Sequence, residues 1–310
     1  YRYTLAAGYP PPRESAALVA ALLLPLLVLQ LILQTPSQRP YGHAAWAGRF
    51  DLRKAKQFGI TPQSFPTGHV LGRRWGAYLT MQQPFTTLAL GPPGSGKSGA
   101  IIKPTLLSLP DNAGAVIYDP NGDIHATTGA YRKSRGNPVH RIAWDRPTWD
   151  RFNPLSPYNL PETGGKRQNQ IALLAETLLP QESFFDQYAA NLFRSFALYH
   201  VFYGEHHDTE YGIADVLQWI KRLPAYTPPD EDTAPEEAAL RAAAQTADEY
   251  AMPSEISDTL YSLAGTHKPT RESALQTLQT HLRLFNNQDV AAVTRQSTFR
   301  LTDIRRGSWL

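Results

Sequence analysis

The stretch from Phe85 to Ile102, FTTLALGPPGSGKSGAII, constrains this chain more than any other. Gly91 to Ser98 matches the phosphate-cradling pattern GxxxxGK[ST] without a departure. An apolar run precedes it and a helix-forming segment follows, so the glycines sit where a buried strand turns into a helix N-terminus. A chance glycine loop would not have both neighbours. Phosphate needs donors that approach closely, and backbone N–H groups without a nearby Cβ do this best. The expected cofactor-binding residues are Gly91, Gly94, Ser95, Gly96, Lys97, Ser98 and Gly99. Lys97 brings a charge to the β and γ phosphates and is a catalytic candidate, while the Ser98 hydroxyl completes a Mg²⁺ shell. The expected cofactors are therefore ATP and Mg²⁺.

Hydrolysis also needs an acid to hold the metal through water and a group to orient the attacking water. Asp119 ends an apolar strand but is followed by proline rather than a second acid. Asp123 is the better candidate for a catalytic carboxylate; equally, an Asp after a turn and before a helix can be an N-cap. Four apolar residues followed by Asp-Glu occur nowhere in the 310 residues. That half of a motor site is expected downstream of Leu310.

Three strands, Phe85 to Leu90, Ala113 to Tyr118 and Val139 to Trp144, alternate with helices from Lys97 to about Leu109 and from Asp123 to Ser134. Pro104 should bend or divide the first helix, and Asp119-Pro120-Asn121-Gly122 is a turn. Alternation of this kind predicts parallel strands with ligands at their carboxyl ends. Upstream, Tyr41 to Pro84 reads as a connector with a short helix at Asp51 to Phe58 and a hairpin near Val70 to Met81. From Lys166 the pattern becomes helical: Gln168 to Leu179, Ser183 to Tyr203, Ile213 to Arg222, Ala234 to Ala251, Ile256 to Leu263 and Arg271 to Phe285. Ser297 to Leu301 and Ser308 to Leu310 lead back into the sheet.

Ser15 to Leu33 carries no charge and as a helix would reach about 28 Å, close to a bilayer's hydrocarbon thickness. We read it as a membrane span. Arg39, Arg49, Arg53, Lys54, Lys56, Arg73 and Arg74 follow it against Asp51 alone, which puts the downstream side in the cytoplasm. A signal peptide cleaved near Ala45 to Ala47 would export a nucleotide site to where ATP is scarce. A buried core helix is the other rival, favoured by Pro25 and Gln30. Cysteine is absent, which excludes a disulfide framework and thiolate metal sites. A net charge of +3 is too mild to establish a nucleic-acid partner.

Three further features read as structural. Glu205-His206-His207-Asp208 lacks the spacing of a chelating helix face and reads as a solvated loop. Phe185, Phe196, Tyr199 and Tyr203 fall near helical spacing and read as a core stripe. Glu231, Asp232, Glu236, Glu237, Asp248 and Glu249 make one helix's surroundings negative, unsuited to DNA and suited to a basic protein.

One family has these parts in this order. The span, the basic connector, the phosphate loop with Ile102-Lys103-Pro104-Thr105-Leu106-Leu107, Asp119-Pro120-Asn121-Gly122-Asp123 and Asn153-Pro154-Leu155 come first. A helical insertion then closes with Thr280-His281-Leu282-Arg283-Leu284-Phe285 and Phe299-Arg300-Leu301. Residues 41 to 310 thereby resemble the type IV secretion coupling proteins of bacterial conjugation. The resemblance implies an α/β fold: a RecA-like P-loop NTPase domain with an inserted all-α domain and an N-terminal transmembrane helix. Its parts would be an extracytoplasmic loop (1–12), the span (13–34), the first part of the motor domain (35–165), the all-α domain (166–292) and a return to the motor (293–310). It implies an inner-membrane homo-hexameric ATPase, mostly cytoplasmic, that hands a relaxase with single-stranded DNA, or effector proteins, to the other secretion-system subunits. The family's Lys-Gly-Glu reads Asn121-Gly122-Asp123 here, which retains the acid and loses the lysine. The alternatives are a double-stranded DNA translocase of the FtsK kind and a docking platform that does not hydrolyse its nucleotide.

Overall fold

The computed structural model describes residues 12–33, 48–54, 58–61, 68–74, 77–81, 86–162, 164–180 and 182–310. The loop expected before residue 12, and Phe85, lie outside them. The chain forms two compact units, Tyr1–Lys56 and Gln57–Leu310.

In the first unit, α1 (Pro12–Leu33) takes up the uncharged stretch as 22 helical residues with Pro25 inside. Leu18, Leu22, Leu24 and Leu27 are all more than half exposed, so the helix is apolar all round rather than along one stripe. Among the described residues no helix is long and apolar enough to cross a membrane, so the span expected from Ser15 to Leu33 is not supported. Side chains of α1 are described only for 16–30. A short helix, α2 (Arg49–Lys54), follows. The sequence placed it at Asp51 to Phe58, but Phe58-Gly59-Ile60-Thr61 favours a strand and becomes one.

The second unit is mostly helical with a small sheet. Strands β1 (Phe58–Thr61), β2 (His69–Arg74) and β3 (Ala77–Met81) pair antiparallel in the order β1-β3-β2, with β2 and β3 as the expected hairpin. The hairpin is tied to the run that follows the glycine loop. Val70 N–H donates to Thr105 Oγ1 (3.0 Å), and Ser108 Oγ donates to the Gly68 carbonyl (3.0 Å). This run opens as a π-turn, Ser98–Ile102, and continues as α3 (Lys103–Ser108). Lys103 N–H reaches back to the Ser98 carbonyl, and Pro104 has no N–H with which to continue a regular α ladder. Proline thus divides the helix where expected.

The three expected parallel strands do not form a continuous sheet. Thr86 to Leu90 has no strand assignment, and Leu88 and Leu90 are 80% and 85% exposed rather than buried. The other two segments are joined only by isolated parallel bridges, Ala115 and Val139 each to Trp309. Ile117 N–H donates to the Leu310 carbonyl (2.7 Å) and Leu310 N–H to that of Ala115 (2.9 Å). On the other side His140 N–H donates to the Trp309 carbonyl (2.7 Å) and Trp309 N–H to that of Pro138 (2.8 Å). Ser308 to Leu310 therefore returns between two much earlier segments, as the sequence implied. The third segment stops pairing early because the Arg141 N–H goes to Asp150 Oδ2 (2.9 Å) instead of a neighbouring strand. Ser297 to Leu301 is not a strand either: Thr298 N–H bonds the Arg151 carbonyl (3.0 Å), and a 3₁₀ turn, Leu301–Arg306, follows.

Helix α4 (Asp123–Ser134) coincides with its predicted bounds. With α3 it covers one side of the paired segments, where Leu106, Ile124 and Trp309 form a small core. Arg132 lies under the Trp309 ring (4.4 Å) and donates to the carbonyls of Leu109 (2.9 Å) and Pro110 (3.0 Å). The Trp309 indole N–H donates to the Ala113 carbonyl (2.8 Å). Next to it, a Cβ on Gly114 would sit 1.6 Å from the Ile304 carbonyl oxygen, so only glycine fits.

The helical part comprises α5 (Gly164–Leu178), α6 (Phe184–His206), α7 (Ile213–Arg222), α8 (Pro235–Glu249), α9 (Ser254–Gly265), α10 (Lys268–His281) and α11 (Gln288–Val293). The long α6 is its axis: Leu192, Phe193, Phe196, Ala197 and Leu198 are fully buried. Ser183 and Asp186 form a reciprocal capping box at its start. Phe196 and Tyr199 are core residues as expected, whereas Phe185, one turn from the free end, is 46% exposed. Asn153 closes the neck where this part joins the rest, donating to the carbonyls of Tyr211 and Arg295 (3.0 Å each) while its own N–H reaches Ser297 Oγ (2.9 Å).

Two predictions follow from these packings. Trp309→Ala should cost about 3–5 kcal/mol in denaturant unfolding, since a large buried ring is lost from a small core. His200, deep in the helical core with Nδ1–H on the Phe196 carbonyl (2.7 Å), has its pKa pushed by burial down to about 4. The unfolded state therefore binds the proton first, and stability should fall by roughly 3 kcal/mol as pH drops from 6.5 to 4. His200→Gln should flatten that slope in a pH series of melting curves.

Candidate functional site

The glycine loop holds its shape through two left-handed residues, Gly94 (φ +77) and Gly96 (φ +80). A Cβ on either would meet nothing within 4 Å. Glycine is thus needed for backbone conformation, and the space beside it is open for a ligand. Ser95 N–H closes a turn onto the Pro92 carbonyl (3.2 Å), and Ala100 N–H bonds that of Gly96 (2.7 Å).

Lys97 supplies the charge. Its ammonium donates to the carbonyls of Gly91 (2.6 Å) and Pro92 (2.8 Å) and to Ser95 Oγ (3.3 Å). All three ammonium protons thus point at the loop's own acceptors, which encircle the side-chain tip. Ser98 opens the π-turn immediately after it. The first N–H groups of any helical run lack intrahelical acceptors, so this corner offers donors and positive charge together. Donors of this kind, an ammonium, a hydroxyl and open glycine backbone, fit an anionic polyphosphate; the Ser98 hydroxyl fits a hard divalent cation.

The two aspartates are placed differently from the sequence expectation. Asp119 caps α4, its Oδ2 accepting from the His125 N–H (2.9 Å). Asp123 is the first helical residue rather than the cap, with left-handed Gly122 (φ +74) before it. Its carboxylate pairs with Lys103 Nζ at 2.9 Å. Lys103 sits five residues beyond Ser98 on the run that leaves the loop, so the pair ties the phosphate-loop helix to the turn that ends the second segment. The Lys103 hydrogen bond is the main influence holding the Asp123 carboxyl below the usual carboxylate value.

Arg141 was not singled out from the sequence. Its guanidinium lies 3.7 Å from the centroid of the Trp149 ring and 3.1 Å from where a Cβ on Gly122 would stand. Burial lowers the His125 pKa first, and the Arg141 charge lowers it further. The signal was present as arginines and aromatics interleaved through Arg141-Ile142-Ala143-Trp144-Asp145-Arg146 and Trp149. Glu205 is held by Arg167 (2.7 Å), and His206 stacks on Tyr250 with ring centroids 4.1 Å apart. Among the described residues no group of three His, Asp or Glu is placed to hold a metal ion.

Comparison with known proteins agrees with the resemblance. A family model described as type IV secretory system conjugative DNA transfer matches residues 38–309. Protein VirD4 of Agrobacterium fabrum is 29% identical over 146 residues, 46% of this chain and 20% of that protein. The matched segment thus spans about a fifth of that relative's length.

The ion pair gives a prediction with a definite sign. A lowered carboxylate pKa means the Asp123–Lys103 interaction is complete above the ordinary carboxylate value of 3.8 and is lost as pH falls through the lowered one. Carboxyl NMR should show Asp123 titrating below the ordinary aspartate value of 3.8, and Lys103→Met should return it toward that value.

Proposed function

Because the chain belongs to the type IV secretory system conjugative DNA-transfer family, we propose that it is a P-loop ATPase subunit coupling substrate delivery to a secretion channel. The observation that carries this reading is the complete glycine loop, with Lys97 at its centre and the family match running through it. Bound ATP with Mg²⁺ would supply the energy-yielding phosphoanhydride. Gly94, Ser95, Gly96 and Gly99 would hold and orient the phosphates through backbone N–H groups. Lys97 would bring its charge to the phosphate oxygens, and Gly91 shapes the entry to the turn. Ser98 would hold the metal through its hydroxyl. Asp123, braced by Lys103, is assigned an electrostatic role in hydrolysis.

We further propose a RecA-like motor fold with the all-α insertion carried through the Asn153 neck. In this reading the chain resides at a bacterial inner membrane with its bulk in the cytoplasm. It assembles as a homo-hexamer and delivers relaxase-bound single-stranded DNA or effector proteins to the other secretion subunits.

Two variants test this. Lys97→Ala should reduce ATP binding and turnover to background and stop DNA transfer in cells. Ser98→Ala should raise the Mg²⁺ concentration needed for nucleotide binding. Normal transfer by Lys97→Ala would overturn the motor role. Nucleotide binding without turnover in any oligomeric state would favour a docking platform, and stimulation by duplex but not single strands would favour a pump of the FtsK kind.

A further inference from the structure

One surface of the second unit is neither the phosphate loop nor the helical core. After the third paired segment ends at His140, the chain turns outward through Arg141, Trp144, Arg146 and Trp149. Arg141 lies 3.7 Å from the Trp149 ring centroid and Arg146 5.8 Å from the same ring. Trp144 is 59% exposed. A second pair continues the layer: Arg300 lies 4.0 Å from the ring centroid of Tyr158, which is 50% exposed.

The segments that carry the two pairs are joined by hydrogen bonds. Asp150 links them, accepting from Arg141 N–H (2.9 Å) on one side and from Thr298 Oγ1 (2.9 Å) on the other. Leu301 N–H donates to Asn159 Oδ1 (3.1 Å), which fixes Arg300 beside Tyr158. Beneath the strip, His140 and Phe299 stack at 4.5 Å and bury the Phe299 ring. The backbone under the exposed rings is thus held in place.

The chemistry of this strip selects its partner. An arginine stacked on an aromatic ring is stiffened in orientation and keeps its charge and outer donors for a further contact. The charge is in excess: among the described ion pairs, only Arg146 of these three arginines has a carboxylate, the adjacent Asp145 at 3.5 Å, and both are well exposed. Such a pair is weak in water. Exposed indole and phenol rings beside unneutralised guanidinium groups suit a polyanion that also presents flat apolar faces. Duplex DNA hides its base faces, whereas a single strand offers both phosphate and base to the same surface. Arg141 also follows directly on a parallel-paired segment, the end of such segments where α/β proteins bind ligands.

We propose that Arg141, Arg146 and Arg300 with Trp144, Trp149 and Tyr158 form a docking strip for single-stranded nucleic acid. The proposal rests on the DNA-transfer reading above and adds to it the place where the strand is held. It does not depend on nucleotide hydrolysis.

The test is fluorescence anisotropy with a labelled thymidine oligonucleotide and the 310-residue chain in detergent, without ATP, over a salt series. Arg146→Ala and Arg300→Ala should each weaken binding and reduce the slope of log affinity against log salt by about 0.7. Trp144→Ala and Tyr158→Ala should each weaken binding about fivefold or more while leaving the slope unchanged. Trp144→Phe should recover most of the loss, and near-ultraviolet dichroism should show every variant folded. Duplex of the same length should bind more weakly than the single strand. Equal or tighter duplex binding would overturn the proposal, as would aromatic variants within twofold of the parent, since the strip would then be a bare charge patch. Failure of the unaltered chain to bind any oligonucleotide would instead overturn the DNA-transfer reading itself.

Discussion

The second unit depends on the threading of Ser308 to Leu310 between two segments laid down long before it in sequence. Ala115 on one side and Val139 on the other are bridged only through Trp309. The insertion works because Trp309 satisfies every demand of a buried indole at once. Its N–H has the Ala113 carbonyl, its face has the Arg132 guanidinium, and its flank has Leu106 and Ile124. Arg132 in turn is held by two carbonyls at the end of α3, so the run from the phosphate loop and the paired segments share one set of contacts. Gly114 completes the arrangement by letting the Ile304 backbone pass where no Cβ fits. The entire helical part, residues 164 to 293, lies in sequence between Val139 and the Trp309 that pairs with it. Its neck must therefore return the chain accurately, which the Asn153, Ser297 and Thr298 hydrogen bonds do.

The phosphate loop is organised differently, around a charge rather than a ring. Lys97 is bonded to the carbonyls and hydroxyl of its own loop, so the loop is preformed without a ligand to hold it open. Preorganisation of this kind lowers the ordering cost when an anion arrives. Charged oxygen acceptors bond an ammonium roughly twice as strongly as neutral carbonyls do, so an anion at this corner would compete well for Lys97. Downstream, Pro104 and the π-turn place Lys103 against Asp123. The run leaving the loop is anchored to the sheet hairpin by Thr105 and Ser108 and to the Asp119–Gly122 turn by Lys103. These polar contacts compensate for a segment, Thr86 to Leu90, that has little packing of its own.

Helices were legible in the sequence because their signals are local. Asp123–Ser134 and Ile213–Arg222 coincide with the predicted bounds, each set by a glycine before the first turn, an acid in it and basic residues in the last. Capping at Ser183 and the division at Pro104 were likewise written in single residues. The strands were not, since a parallel strand is defined by partners distant in sequence. Phe85 to Leu90 and Ala113 to Tyr118 read as buried strands and Val139 to Trp144 as a third strand, yet Leu88, Leu90, Val116, Tyr118 and Trp144 are exposed. Reading Trp144 as the end of a strand hid the alternation of arginine and aromatic that follows it. For the aspartates, the sequence offered cap or catalyst for Asp123; the structure gives capping to Asp119 and an ion pair to Asp123, because the turn begins four residues earlier than the helix.

Charge is also divided along the chain in a way its net value of +3 conceals. The phosphate loop, Lys103 and the arginines from 141 to 151 belong to the segments around the paired strands, whereas α8 and its approach, from Asp230 to Glu249, carry seven acids against Arg241 alone. A net figure averages these opposing fields to almost nothing. Each is nevertheless local, since a Debye length of about 8 Å at physiological salt is shorter than a helix such as α8. A polyanion near the paired segments therefore experiences mainly their arginines. A basic ligand beside either end of α8 experiences mainly the acids of that end, Glu236 and Glu237 at its start or Asp248 and Glu249 at its finish. Composition excluded little about partners because the physics that chooses between them acts over distances of one or two turns of helix.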